Sequence, residues 1–186
     1  VGPENHALQI AKIISSSQPI LNKEKPEMVL VYGDTNSTLA GALTAAKLNI
    51  PVAHIEAGLR SFDKSMPEEI NRILTDHLSN LLFCPSMISK DNLAKEGIRK
   101  NVFFTGDIAY SIFQETKINN DVLTKYRLKS RNYYFATVHR QENTDDPQRL
   151  RKILKIFASL DQTVVMPLHP RTRNAIAKYG FKPRNV

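Results

Sequence analysis

The 186 residues contain no tryptophan and a single cysteine, Cys84. One thiol cannot form an internal disulfide, so a disulfide-stapled secreted scaffold is excluded and a reducing, cytoplasmic setting fits. The run Leu81-Leu82-Phe83-Cys84 reads as a buried strand, where burial disfavours the thiolate and makes nucleophilic catalysis by Cys84 a poor expectation. No apolar run is long enough to cross a bilayer, so no membrane role is expected. Neither a GxGxxG nor a Walker-type loop occurs. The five histidines, His6, His54, His77, His139 and His169, have neither the close spacing nor the cysteine company of a zinc site; no metal and no cofactor are expected. His54 and His77 lie on apolar elements and read as interior residues. The chain opens at Val1 without a methionine, a basic leader or the apolar core of a secretory signal, which suggests a piece of a longer product.

Apolar residues make up 41% and charged residues 24%, as in a globular domain. The 26 Lys and Arg exceed the 18 Asp and Glu to leave a formal charge of +8, which suits an anionic partner such as a phosphorylated small molecule. The excess is scattered singly over helix faces, without a basic stripe or interleaved aromatics, so no nucleic-acid partner is expected.

Short apolar runs alternate with longer runs of helical period, the pattern of parallel strands joined by crossover helices; the fold class is α/β. Strands are predicted over 28–32, 51–55, 81–84 and 102–105. Between them lie an Ala-rich helix over 39–48 that any of Thr35 to Thr38 can cap, one over 67–80 started by Ser65 and Pro67, and one over 88–96 stopped by Gly97. The second of these carries Ile70, Ile73, Leu74, His77, Leu78 and Leu81 as its expected inward stripe. Residues 1–113 read as a first domain, the polar stretch 114–131 as a connection, and 132–186 as the truncated start of a second domain. That second part reads as strand 133–138, a helix from Pro147 with Leu150, Ile153, Leu154, Phe157 and Leu160 inward, strand 163–168 and a short helix over 171–179. Another strand is expected to begin at Asn185-Val186.

In parallel sheets, ligands bind beyond the carboxyl ends of the strands. The strand ends here are polar: Gly33-Asp34-Thr35-Asn36-Ser37-Thr38, then Glu56-Ala57-Gly58-Leu59-Arg60, then His139-Arg140-Gln141-Glu142-Asn143. Taken singly, Asp34 caps a helix, Glu56 pairs with Arg60, and His139 lines a loop. Taken together, two carboxylates converging on one cleft cannot both ionise cheaply, and such a pair can hold and hand over a proton. Glu68, in the first turn of the Pro67 helix, is either favoured there by the helix dipole or a third functional carboxylate. Arg72 either pairs with Glu68 one turn away or reaches toward phosphate.

The runs 29–43 (Val29-Leu30-Val31-Tyr32-Gly33-Asp34-Thr35 onward), 50–61 (Ile50-Pro51-Val52-Ala53-His54-Ile55-Glu56-Ala57-Gly58-Leu59-Arg60-Ser61) and 66–72 (Met66-Pro67-Glu68-Glu69-Ile70-Asn71-Arg72) resemble the non-hydrolysing UDP-N-acetylglucosamine 2-epimerases. Thr137-Val138-His139-Arg140-Gln141-Glu142-Asn143 and Leu168-His169-Pro170 resemble motifs of that family's second domain. The resemblance implies two Rossmann-like domains facing a cleft, as in the GT-B glycosyltransferases, with the first strand of domain one and part of domain two outside this chain. It implies that the C2 proton is removed as UDP leaves C1, giving a 2-acetamidoglucal to which both are returned with C2 inverted. Asp34, Glu56 and Glu68 would then be the acid-base carboxylates, His139 would assist the departing diphosphate, and Arg72 and Arg140 would bind substrate. It further implies UDP-N-acetylglucosamine and UDP as partners, a second UDP-N-acetylglucosamine as activator near Gln9, Arg140 and His169, a homodimer at full length, and a place in cell-surface polysaccharide biosynthesis. Thr35 separates the chain from hydrolysing relatives, which resemble Gly-Asp-Arg there. Two departures stand out: Ile10-Ala11 after Gln9, where relatives commonly have Thr and Gly, and Gly106-Asp107-Ile108-Ala109 in place of a Gly-Asn-Pro turn. The rival readings are a hydrolysing epimerase, an epimerase for a diacetamido-uronic acid nucleotide, and a non-catalytic nucleotide-sugar-binding protein.

Overall fold

The structure, a computed structural model, describes residues 5–117 and 121–183. The expected strand start at Asn185-Val186 lies outside them. The chain divides into two compact units, Val1–Thr116 and Lys117–Val186.

The first unit is a four-stranded parallel sheet, β1 (Val29–Tyr32), β2 (Val52–Ile55), β3 (Leu81–Cys84) and β4 (Val102–Phe104), in sequence order. Tyr32 pairs with Ile55, and Ile55 with Phe83, so the loops after the first three strands emerge side by side at one sheet edge. Helices α1 (His6–Glu24) and α2 (Asn36–Lys47) precede and follow β1. The small side chains of α2, Ala42 and Ala45, pack with Val31 and Val52 into one core cluster, and Leu21 of α1 lies against it. The apolar half of α1 was not legible as a helix, because Ser15-Ser16-Ser17 and Pro19 interrupt its periodicity. A second cluster joins Ala57, Leu82, Cys84 and Leu93 beneath α4 (Met87–Lys95). Ser86 opens α4 by accepting the Ser89 N–H at 3.1 Å, as a serine N-cap should.

Helix α3 (Pro67–Leu78) has Pro67 at its first position and Glu68 and Glu69 in its first turn, both suited to a helix start. Its orientation corrects the expected stripe in part: Leu78 packs against the first core cluster and Ile73 is half-buried, but the rest of the inward face is polar. Glu69, Asn71, Thr75 and Asp76 are buried, while Ile70 and Leu74 are 45% and 46% exposed and His77 is also exposed. The surface beneath α3 includes loop backbone with N–H groups to satisfy, so the helix turns acceptors inward. His54 is fully buried, as expected.

The unit closes with α5 (Ile108–Glu115), begun by Asp107, whose carboxylate accepts the Ala109 N–H at 2.8 Å. In the second unit, α6 (Asp121–Lys125) occupies part of the stretch read as a polar connection, and β5 (Tyr134–Phe135) and β6 (Val164–Val165) pair in parallel. These strands are much shorter than the apolar runs predicted, because each has only one neighbour to pair with among the described residues. After α7 (Gln141–Thr144), α8 (Pro147–Ala158) buries Leu150 and Leu154 as its period requires. They pack with Ala175 of α9 (Pro170–Lys178).

Candidate functional site

Beyond β1 the chain turns sharply at Gly33 (φ +70°), whose N–H donates to the Ile55 carbonyl at 3.1 Å. A Cβ at Gly33 would lie 3.4 Å from Glu56 Oε2, which places the Glu56 carboxylate against the Gly33-Asp34 turn. Glu56 itself has φ +70°, a left-handed conformation that costs a residue with a side chain about 1–2 kcal/mol. Its other oxygen, Oε1, accepts the Tyr32 hydroxyl at 3.1 Å. Burial and then the bond to the Glu56 carboxylate hold the Tyr32 phenol above its ordinary range, so Tyr32 stays a donor.

Asp34 does not cap α2, whose N-cap is Thr35, and Glu56 does not pair with Arg60. Asp34 Oδ2 instead accepts from Arg72 Nη2, and Arg72 Nη1 lies 3.4 Å from Glu69 Oε2. The pairing of Arg72 with Glu68 is not formed, and Glu68 is exposed without a hydrogen bond or ion pair among the described residues. Arg72 Nε is buried and unpartnered among the described residues. Asn71 Nδ2 donates to the Asp34 carbonyl at 2.9 Å and to Asn36 Oδ1 at 3.1 Å. Asn36 donates in turn to Gln9 Oε1 at 2.5 Å, so Gln9 is tied to the same loop.

A second set of buried polar groups lies behind these loops. Asp76, fully buried, accepts the Gly58 N–H at 3.1 Å and Arg60 Nη1 at 2.7 Å on Oδ2, and its Oδ1 is 2.7 Å from His54 Nδ1. Arg60 also forms a two-pronged pair with Glu96, both contacts 2.7 Å. Burial works against the Arg60 charge, but its bonds to Glu96 and Asp76 outweigh it and hold the guanidinium above its ordinary range. The Arg60 hydrogen bonds in turn hold Glu96 below the usual carboxylate range against the opposing effect of burial. Burial, with Asp76 adding, pushes the Cys84 thiol up to about 11, in line with its expected inertness.

In the second unit, the His139 and His169 rings stand 5.5 Å apart, tilted by 32°. His169 Nδ1 caps α9 by accepting the Arg171 N–H at 3.2 Å, so the proton of the neutral ring is on Nε2. Thr172 Oγ1 donates to the Val138 carbonyl and so ties α9 to the segment before His139. Arg140 is exposed, with Glu142 Oε1 4.0 Å from its Nη1.

A family model described as UDP-N-acetylglucosamine 2-epimerase matches residues 1–185. The chain belongs to that family. It is 47% identical over 96% of its length to a UDP-N-acetylglucosamine 2-epimerase homolog of Methanococcus maripaludis, of which it spans 52%. It is 46% identical to the UDP-2,3-diacetamido-2,3-dideoxy-D-glucuronate 2-epimerase of Pseudomonas aeruginosa, over 95% of this chain and 51% of that one. A crystal structure of the Methanocaldococcus jannaschii UDP-GlcNAc 2-epimerase, in complex with UDP-GlcNAc and UDP, matches with a TM-score of 0.84 at 43% identity, covering 96% of this chain and 52% of that one. The chain therefore spans about half the length of the epimerase relatives it matches.

Within the epimerase fold, the structure brings Asp34, Glu56, Arg72 and Gln9 to the strand ends of the first unit and leaves Glu68 at the solvent-facing start of α3. Sequence reasoning gave no site role to Tyr32, Asn71, Asp76 and the buried Glu69, and read His54 only as an interior residue. The signal was present in part: Glu69, Arg72 and Asp76 recur at helical spacing, a polar stripe opposite the apolar one. Glu69 is the clearest case. Burial pushes its carboxyl up, but the N–H groups of Ser61 (2.8 Å) and Phe62 (2.9 Å), with Arg72, outweigh this and hold it below the ordinary value of 4.5. A depressed folded value adds stability that is complete above the ordinary one and fades as pH falls through the folded one. Thermal unfolding measured from pH about 6 down to about 3 is thus expected to show a smaller acid loss in Glu69→Gln than in the wild type. Equal acid losses would remove Glu69 from that role.

Proposed function

We propose that the full-length protein interconverts UDP-N-acetylglucosamine and UDP-N-acetylmannosamine by eliminating UDP to a 2-acetamidoglucal and adding it back with C2 inverted. The observation that carries this reading is Glu56: a carboxylate held in a left-handed backbone at the end of β2, with one oxygen fixed by Tyr32 and the other against the Gly33-Asp34 turn. Strain at a strand end, where glycine would sit freely, is tolerated when the side chain has work to do. A weakly acidic C–H needs a positioned base, and the departing diphosphate needs cationic or N–H donors. Asp34 and Glu56 supply the first, with Glu68 a third carboxylate of the same unit. Arg72, His139 and Arg140 are assigned to the second. Gln9, Arg140 and His169 are assigned to a second UDP-N-acetylglucosamine acting as activator. A homodimer and a cytoplasmic setting that serves cell-surface polysaccharide synthesis complete the reading. In support of that setting, the one cysteine is a buried free thiol, and no helix among the described residues is long and apolar enough to cross a membrane.

A second reading has its own support in the 46% identity to the diacetamido-glucuronate epimerase. The two separate on substrate. Incubated in heavy water with each nucleotide sugar, the protein is expected to place deuterium at C2 of both UDP-N-acetylglucosamine and its manno epimer. Exchange confined to the diacetamido-uronate would favour the second reading, free N-acetylmannosamine would mark a hydrolase, and no exchange with either would contradict catalysis.

A further inference from the structure

The reaction as proposed uses carboxylates at two loops, yet nothing in it uses the most deeply buried charged pair of the first unit, His54 and Asp76. Both side chains are 0% exposed. An aspartate so placed is costly to bury unless every acceptor site is filled, and here each contact leads to a loop that carries chemistry. Asp76 Oδ2 accepts the N–H of Gly58, two residues past Glu56, and the Arg60 guanidinium at the far end of the same loop. Through Oδ1 it holds His54, whose Nε2 lies 2.8 Å from the Gly33 carbonyl. A carbonyl and a carboxylate both only accept, so both ring nitrogens carry hydrogen: Nδ1–H donates to Asp76 Oδ1, and Nε2–H donates into the turn immediately before Asp34.

We infer that Asp76 and His54 are positioning residues that lock the Gly33-Asp34 turn and the Glu56 loop to each other. One carboxylate on α3 grips the Glu56 loop directly and the Asp34 turn through a single imidazole. The left-handed backbone of Glu56 needs such a clamp, because a strained conformation persists only where its surroundings over-determine it. Asn71 adds a second tie from the same helix face, to the Asp34 carbonyl. Ile70 and Leu74 of α3 lie outward because this face is occupied by the clamp.

The kinetic test rests on the epimerase reading; the positional test does not. In the full-length protein, Asp76→Asn and His54→Phe are expected to lower kcat about 100-fold, the scale of an ångström of misplacement, with KM little changed. His54→Gln, whose amide can still donate to the Gly33 carbonyl, is expected to keep more of kcat than His54→Phe. A merely structural role would lower the melting temperature without this ordering or the split between kcat and KM. Crystal structures of the variants are expected to show the Glu56 backbone leaving its left-handed conformation or the Gly33 carbonyl turning away. Turnover within about twofold of wild type in all the variants that fold would overturn the inference. If Asp76→Asn does not fold, the two His54 variants decide it. If the wild type itself shows no exchange at C2, the functional reading falls alone. The clamp then stands or falls on whether the loops have moved in the variant structures.

Discussion

Glu56→Gln in the full-length protein is expected to lower kcat for epimerisation by about 100- to 10,000-fold, the usual contribution of a positioned acid-base group. The substitution keeps size and shape, and the one hydrogen bond Glu56 makes among the described residues, from the Tyr32 hydroxyl, can be accepted by the amide oxygen. Folding should therefore be intact, with the melting temperature close to wild type. Asp34→Asn is expected to cost turnover on the same scale but also to lower the melting temperature. Asp34 is one of only two carboxylates paired with Arg72 among the described residues, and Arg72 Nε already lacks a partner there. Weakening that pair leaves a largely buried guanidinium undercompensated. Steady-state kinetics and thermal unfolding on the two variants separate these outcomes. Near-normal turnover in Glu56→Gln would remove that carboxylate from proton transfer, whatever its geometry.

The largest expected effect on stability lies at Gly58. It has φ +79°, and a Cβ there would stand 2.2 Å from the Ser89 carbonyl oxygen and 2.7 Å from its carbon. Both are backbone atoms of α4 and cannot swing aside as a side-chain tip would. The Gly58 carbonyl also accepts from Asn92 at 3.0 Å and its N–H donates to Asp76, so the loop is gripped from both sides. Gly58→Ala must push α4 off the sheet or pull the loop off Asp76, and it is expected to cost about 3 kcal/mol or more. Denaturant unfolding of the first unit within the full-length protein measures it; a loss under about 1 kcal/mol would show that α4 yields easily.

Much of the first unit was legible because its strands are apolar runs separated by helices with recognisable ends: Thr35 before α2, Pro67 in α3, Gly97 after α4. The candidate loops were legible for a related reason, since polar residues directly after buried parallel strands lie where such sheets bind ligands. What was not legible was which side of α3 faces inward. Its apolar stripe from Ile70 to Leu78 is the stronger periodic signal, yet the surface it covers includes the backbone of the Glu56 loop, whose N–H groups demand Glu69 and Asp76. Hydrophobic periodicity assumes an oily partner and fails where the partner is exposed peptide. His77 was misplaced by the same error. It is half exposed and lies 3.4 Å from Glu96. The partners of Arg60 and Arg72 could not be read either, because Glu96 and Asp34 lie 36 and 38 residues away in the chain.

The proposed reaction requires the Asp34 and Glu56 carboxylates to meet C2 of the sugar. A crystal structure of the full-length Glu56→Gln protein with UDP-N-acetylglucosamine bound measures this directly. The prediction is that C2 lies within about 3–4 Å of an oxygen of Asp34 or of the residue 56 side chain, the range of a near-attack geometry. A sugar bound with C2 facing away from both side chains, at more than about twice that distance, would contradict it.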